Sequence, residues 1–130
     1  MNKLFVDGYT IGSNPSRVGG GFVICDEDSK VIEQKKIIKP YYTNNEAEIS
    51  GLVKSLELID DLGTIYTDSF IACCWLRGGR AKARPDLNGL IKTGHALQKK
   101  KDIKIIQINR AQNLAGIYIE NCQLEGKKFY

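Results

Sequence analysis

The stretch KLFVDGYTIG, residues 3–12, decides the fold. Leu4, Phe5 and Val6 read as a strand, and that strand runs into Asp7 and Gly8. Further along, TIYTDSF (64–70) ends the same way, Ile65 and Tyr66 leading through Thr67 to Asp68. One carboxylate where a strand meets its turn is ordinary turn chemistry. Two in a chain of 130 residues ask for a common explanation. Strands in a sheet lie ~4.8 Å apart, so two parallel neighbours would bring these ends together.

The surrounding pattern supplies that geometry. SNPSRVGGG (13–21) is a turn rich in Ser, Pro and Gly. GFVIC (21–25) and VIEQKKII (31–38) are strand-like and joined by the polar DEDSK, which predicts three antiparallel strands in a meander. From Asn45 the period changes: Ile49, Leu52, Val53, Leu56 and Ile59 recur at helical spacing up to a turn at Asp60–Gly63. TIYTD is then a fourth strand, and SFIACCWLRG (69–78) a short helix with Ser69 as its cap. After the glycine-rich, basic GGRAKARP, a second long helix is expected from Pro85, with Leu87, Leu90, Ile91 and Leu97 inward. IKIIQIN (103–109) is a fifth strand, and a last helix covers Ala115 to Leu124. Apart from the short helix the order is βββαβαβα, an α/β fold with a five-stranded mixed sheet and helices on both faces. The right-handed crossover rule sets strands one and four parallel, side by side.

Composition narrows the class. A chain of 130 residues reads as one domain, 1–130, and 42% hydrophobic with 26% charged residues is usual for a soluble globular protein. No apolar run approaches the ~20 residues that span a bilayer. The start, MNKLFVDG, lacks the apolar segment of a secretory signal, so an intracellular, cytoplasmic protein with no membrane partner is expected. The four cysteines show no CxxC or Cys/His spacing and read as small buried hydrophobes. Charge is unevenly placed. Residues 1–76 carry 7 Lys/Arg and 11 Asp/Glu, a net of −4, whereas residues 77–110 carry 10 Lys/Arg and 2 Asp/Glu, a net of +8. Such a segment suits either a polyanion or a solvated helix face.

A third acidic element joins the two aspartates. TNNEAEISG (43–51) opens the first long helix with Glu46 and Glu48, where carboxylates suit the helix dipole. Three carboxylates converging from two strand ends and a helix repel one another unless a cation joins them. Hard oxygen donors suit Mg²⁺ or Mn²⁺, and two such ions ~4 Å apart can clamp an in-line displacement at phosphorus.

At this point the chain resembles the ribonuclease H family, in its small single-domain bacterial, archaeal and viral form. LFVDG resembles the family's first strand, RVGGGFVI its second, TNNEAE its TNNxAE helix start and YTDS its fourth-strand aspartate. The match runs from about residue 3 to 120. The resemblance implies an endonuclease that cuts the RNA strand of RNA/DNA hybrids without sequence preference, leaving 5′ phosphate and 3′ hydroxyl. It assigns Asp7, Glu48 and Asp68 as ligands of two Mg²⁺ or Mn²⁺ ions, with Glu46 at a variable surface position. It sets Gly8, Asn44 and Asn45 near the hybrid's minor groove, where 2′-hydroxyls distinguish RNA. Helix capping is the other use of the Asn pair. Arg80, Lys82 and Arg84 are expected on phosphates of the DNA strand, and Arg110 is read as a further nucleic-acid contact. A monomer is expected.

One element departs from the pattern. The family's last helix opens on a segment resembling RxxNxxAD, and here the chain reads NRAQNLAGIYIE. Arg110 and Asn113 fit, but the spacing is one residue short and Gly116 stands where a fourth carboxylate is expected. Glu120, one turn along the same helix face, is the candidate to replace it. Weak or Mn²⁺-preferring cleavage would follow. The alternative is a ribonuclease H-fold module that binds nucleic acid or a protein partner without cutting. The lone histidine, His95, falls inside the second long helix as a surface or half-buried residue.

Overall fold

Strand β1 (Lys3–Thr10) alternates its side chains between two environments, and this alternation organises the molecule. Leu4 and Val6 enter the larger core with Phe22, Ile24, Ile49 and Leu52, whereas Tyr9 packs with Val23, Cys25, Ala115 and Ile119, Phe5 against them. The computed structural model describes residues 1 to 124. Strands β2 (Gly19–Asp26) and β3 (Val31–Ile38) complete the antiparallel meander. Helix α1 (Asn44–Leu58), strand β4 (Thr64–Thr67), helices α2 (Phe70–Gly78) and α3 (Asn88–Lys101), strand β5 (Lys104–Gln107) and helix α4 (Leu114–Leu124) follow. The sheet order is β3-β2-β1-β4-β5, with β1, β4 and β5 mutually parallel. The first three helices pack on the face of Leu4 and Val6, and α4 lies on the opposite face over β1 and β2. Among the described residues no helix is long and apolar enough to cross a membrane.

The expected elements are present, with altered ends; the first strand does not stop at Asp7 but stays paired with β2 as far as Thr10. The fifth strand is four residues long: Ile103 donates to the Gln98 carbonyl instead, and after Gln107 the Ile108 N–H makes a last bond to the Thr67 carbonyl. Pro85 to Leu87 form a 3₁₀ turn, and α3 proper begins at Asn88. Helix α1 is capped by Thr43, whose Oγ1 accepts from the Glu46 N–H at 3.1 Å, and not by Asn44 or Asn45. Ser69 caps α2 as expected, accepting from the Ala72 N–H. Of the inward set of α3, Ile91 and Leu87 are buried, while Leu90 and Leu97 are half-buried. Cys25, Cys73 and Cys122 are buried but Cys74 is exposed, a correction to reading all four as core. His95 is half-buried, and its Nδ1 lies 2.8 Å from the Leu76 carbonyl.

Lys101, the last residue of α3, serves a different helix from its own. Lys101 Nζ donates to the carbonyls of Leu56, Glu57 and Ile59 at 2.8, 3.0 and 2.9 Å. Those acceptors are the open C-terminal end of α1, where a cation is favoured by the dipole. Lys101→Met is therefore expected to cost about 1–2 kcal/mol in urea unfolding. The exposed neighbour Lys100→Met should stay within about 0.5 kcal/mol.

Candidate metal centre

Gly8 makes the site possible. A Cβ built on it would stand 2.7 Å from the Glu48 backbone nitrogen and 2.8 Å from the Ala47 carbonyl carbon. Only glycine lets the first turn of α1 lie directly on β1. Gly51 repeats the close approach one turn later, where a Cβ would meet Val6 Cγ2 at 2.7 Å. With the helix seated in this way, Glu48 comes down beside Asp7. Asp68 arrives from the other side, one residue beyond β4 and just before the Ser69 cap. One carboxylate oxygen from each of Asp7, Glu48 and Asp68 lies within 4.8 Å of the other two.

Burial makes this cluster demanding. Asp7 and Glu48 are 7% and 8% exposed, and Asp68 is half-buried. Desolvation pushes the Asp7 carboxyl up to about 6; its hydrogen bond with Glu48 opposes this and the Asp68 charge adds to it. Glu48 is raised well above the usual carboxylate range, first by burial and then by Asp7. Glu48 Oε2 is buried without a hydrogen-bond partner. An orphaned buried carboxylate oxygen on a member of a three-acid cluster fits a cation, and an all-oxygen donor set suits a hard divalent one.

The other residues singled out in the sequence fall into three places. Gly8, Asn44, Arg110 and Glu120 line one cleft of about 190 Å³ beside Asp7. Asn45 is exposed on the first turn of α1, and Arg80 and Lys82 are exposed on the connection before α3. Arg84 is engaged within the protein: its guanidinium donates to Thr43 Oγ1 at 3.1 Å, to Glu46 Oε1 at 3.0 Å and to both Asp86 oxygens. Glu46 is the clearest correction. Expected on the surface, it is 5% exposed and paired with Lys39 at 2.6 Å as well as with Arg84. Its partners are remote in sequence, so only the capping-box spacing from Thr43 hinted at a role.

On the other wall, Gly116 abuts the cluster, since a Cβ there would stand 3.1 Å from Asp7 Oδ2. Glu120 lies 3.7 Å from Arg110 and is outside the group of three acids. Asn113 carries more weight than the sequence indicated. Fully buried, it donates from Nδ2 to the Val6 carbonyl at 2.9 Å and accepts from the Ala115 N–H at 3.2 Å. It thereby ties the start of α4 to the residue before Asp7.

Comparison with known proteins bears on the fold. No protein-family model and no curated protein matches the chain. Solved structures do. An N-terminal ribonuclease H domain from Mycobacterium tuberculosis is 28% identical, over 87% of this chain and 90% of that one, with a TM-score of 0.64. Ribonuclease H1 of the halophilic archaeon Halobacterium salinarum is 25% identical over 96% and 98%, with a TM-score of 0.68. LC11 ribonuclease H1, solved in complex with an RNA/DNA hybrid, shares the fold at 23% identity, 87% and 88% coverage and a TM-score of 0.61.

Two outcomes follow from the geometry. Without metal, the folded protein keeps protons on the Asp7–Glu48 pair that the unfolded chain releases near pH 4, so their contribution to stability is lost as pH rises through about 6. In chelator, the stability of wild type relative to Asp7→Asn should fall over that window by on the order of 1–3 kcal/mol, read from urea titrations at each pH. Asn113→Ala should lower stability by about 2 kcal/mol, because the Val6 carbonyl loses its buried donor.

Proposed function

Since the chain belongs to the ribonuclease H family, we propose that it is a metal-dependent endonuclease cutting the RNA strand of RNA/DNA hybrids without sequence preference. The observation that carries this is the meeting of Asp7, Glu48 and Asp68 from three elements, with Glu48 Oε2 left unpartnered. These three carboxylates would hold two Mg²⁺ or Mn²⁺ ions. Ions bound there would activate a water for in-line attack and stabilise the departing 3′ oxygen. The residues of the chain orient the substrate. Gly8 and Asn44, beside the acids, and the exposed Asn45 are suited to the minor-groove face of the RNA strand, where the 2′-hydroxyl is read. Exposed Arg80, Lys82 and Arg110 are suited to phosphates, which fix register without reading sequence. Arg84, assigned by resemblance to the same task, spends its guanidinium on Thr43, Glu46 and Asp86. The same proposal takes residues 1–130 as one domain working as an intracellular monomer.

One observation favours a second reading. Gly116 offers no ligand beside Asp7, and Glu120 is directed to Arg110. A site short of one carboxylate could bind hybrid and not cut it, with Glu120 the residue to bring back a fourth ligand.

The deciding experiment is cleavage of an end-labelled RNA/DNA hybrid in Mg²⁺ and then Mn²⁺, beside Asp68→Asn. RNA-strand cutting that falls at least ~100-fold in the variant is the expected result. Hybrid bound but uncut in both metals would establish the binding module instead. Millimolar metal should also raise the melting temperature of wild type and leave Asp68→Asn nearly unmoved.

A further inference from the structure

Glu46 stands two residues before Glu48 on the first turn of α1, and its burial requires explanation. A carboxylate 5% exposed is retained at a cost unless its charge is matched. Both matching cations come from other segments. Lys39 leaves the end of β3, and Arg84 belongs to the basic connection between α2 and α3. Arg84 does more than neutralise. Its fork reaches Thr43 Oγ1, which caps α1, and Glu46 Oε1 on one side, and both oxygens of the exposed Asp86 on the other.

The connection needs such a tie. Residues 79–84 have no helix or strand of their own. At one end Ala81 is buried and its N–H donates to Asn88 Oδ1 at 2.8 Å, which binds the segment to α3. Arg84 is the side chain that binds it to α1, the element bearing Asn44, Asn45 and Glu48. The exposed Lys82 stands between the two ties, and the exposed Arg80 immediately before the first of them.

We propose that Glu46 and Arg84 form a lock that fixes the basic connection against the first turn of α1, so that Arg80 and Lys82 are held at a set position relative to Asp7, Glu48 and Asp68. Both are positioning residues for nucleic-acid engagement, an inference that rests on the ribonuclease reading above. Its content differs from simple electrostatics in sign. Removing the Glu46 charge should tighten binding of a polyanion if charge alone matters; loss of the lock weakens it. Arg84→Lys keeps the charge and removes the fork, since one ammonium cannot bridge Thr43, Glu46 and Asp86 together.

The test is steady-state cleavage of a defined RNA/DNA hybrid by the full chain and by Glu46→Gln, Arg84→Lys and the double variant, at a temperature where unfolding scans show each folded. The lock requires KM for hybrid to rise roughly 5- to 20-fold in each single variant with kcat within about 2-fold. The double variant should be no worse than either single, because the two act through one contact. A KM that falls or stays level in Glu46→Gln overturns the lock. So does wild-type KM in Arg84→Lys, which would make Arg84 a point contact to phosphate. If Glu46→Gln does not fold, Arg84→Lys alone decides by the same criterion. These failures are distinct from failure of the parent reading, in which wild type itself neither cuts nor binds the hybrid.

Discussion

The contact between the backbone of α1 and the hydrogen of Gly8 is the constraint on which the molecule turns. The helix comes so close to β1 at that point that any side chain would strike the Ala47–Glu48 peptide. This closeness sets the height of α1 above the sheet, and Gly51 holds it down a turn later. Leu52, Val53 and Leu56 then reach the apolar face made by Leu4, Val6, Phe22 and Ile24. The same seating lowers Glu48 to the level of Asp7. Core packing and the acidic cluster are two results of one steric allowance.

The fold pays for that cluster through neighbours that are themselves well anchored. Asn113 joins α4 to the Val6 carbonyl, so the part of β1 that carries Asp7 is gripped from the opposite face of the sheet. Asn14 Oδ1 accepts from the Asn44 N–H and fastens the loop after β1 to the start of α1. Asp68 is fixed by adjacency, lying between the Thr67 hydroxyl that accepts from the Ser69 N–H and the Ser69 cap of α2. Side chains held this firmly stay buried, and the raised carboxyls of Asp7 and Glu48 are the consequence, first of that burial and then of the neighbouring acidic charge.

Much of this was legible because it is written locally. Apolar runs leading into Asp7 and Asp68, helical spacing from Ile49 to Ile59 and the crossover rule together gave the parallel β1–β4 pair and the meeting of its carboxylates, although β1 runs on past Asp7 to Thr10. What escaped was whatever depends on a distant partner. TNN offers three capping side chains in a row, and only tertiary placement selects Thr43. Glu46 looks like surface charge until Lys39 and Arg84 are brought to it. Lys101 reads as the end of its own helix, although its ammonium closes the end of another. Asn113 matched a motif letter, yet nothing in its neighbours announces a bond to Val6.

The sheet order has a bearing on biosynthesis. β1 ends up in the interior, between β2 and β4, but β4 follows it by more than fifty residues and pairs with it only across Lys3–Phe5. In the meander alone β1 is the outer strand, with unpaired amides beside Leu4, Phe5 and Val6 until β4 is added. The strand that bears Asp7 is thus the nascent protein's adhesive margin until β4 seals it. Placing β4 also places Asp68, so a complete set of three acids marks a β1 that is paired on both sides.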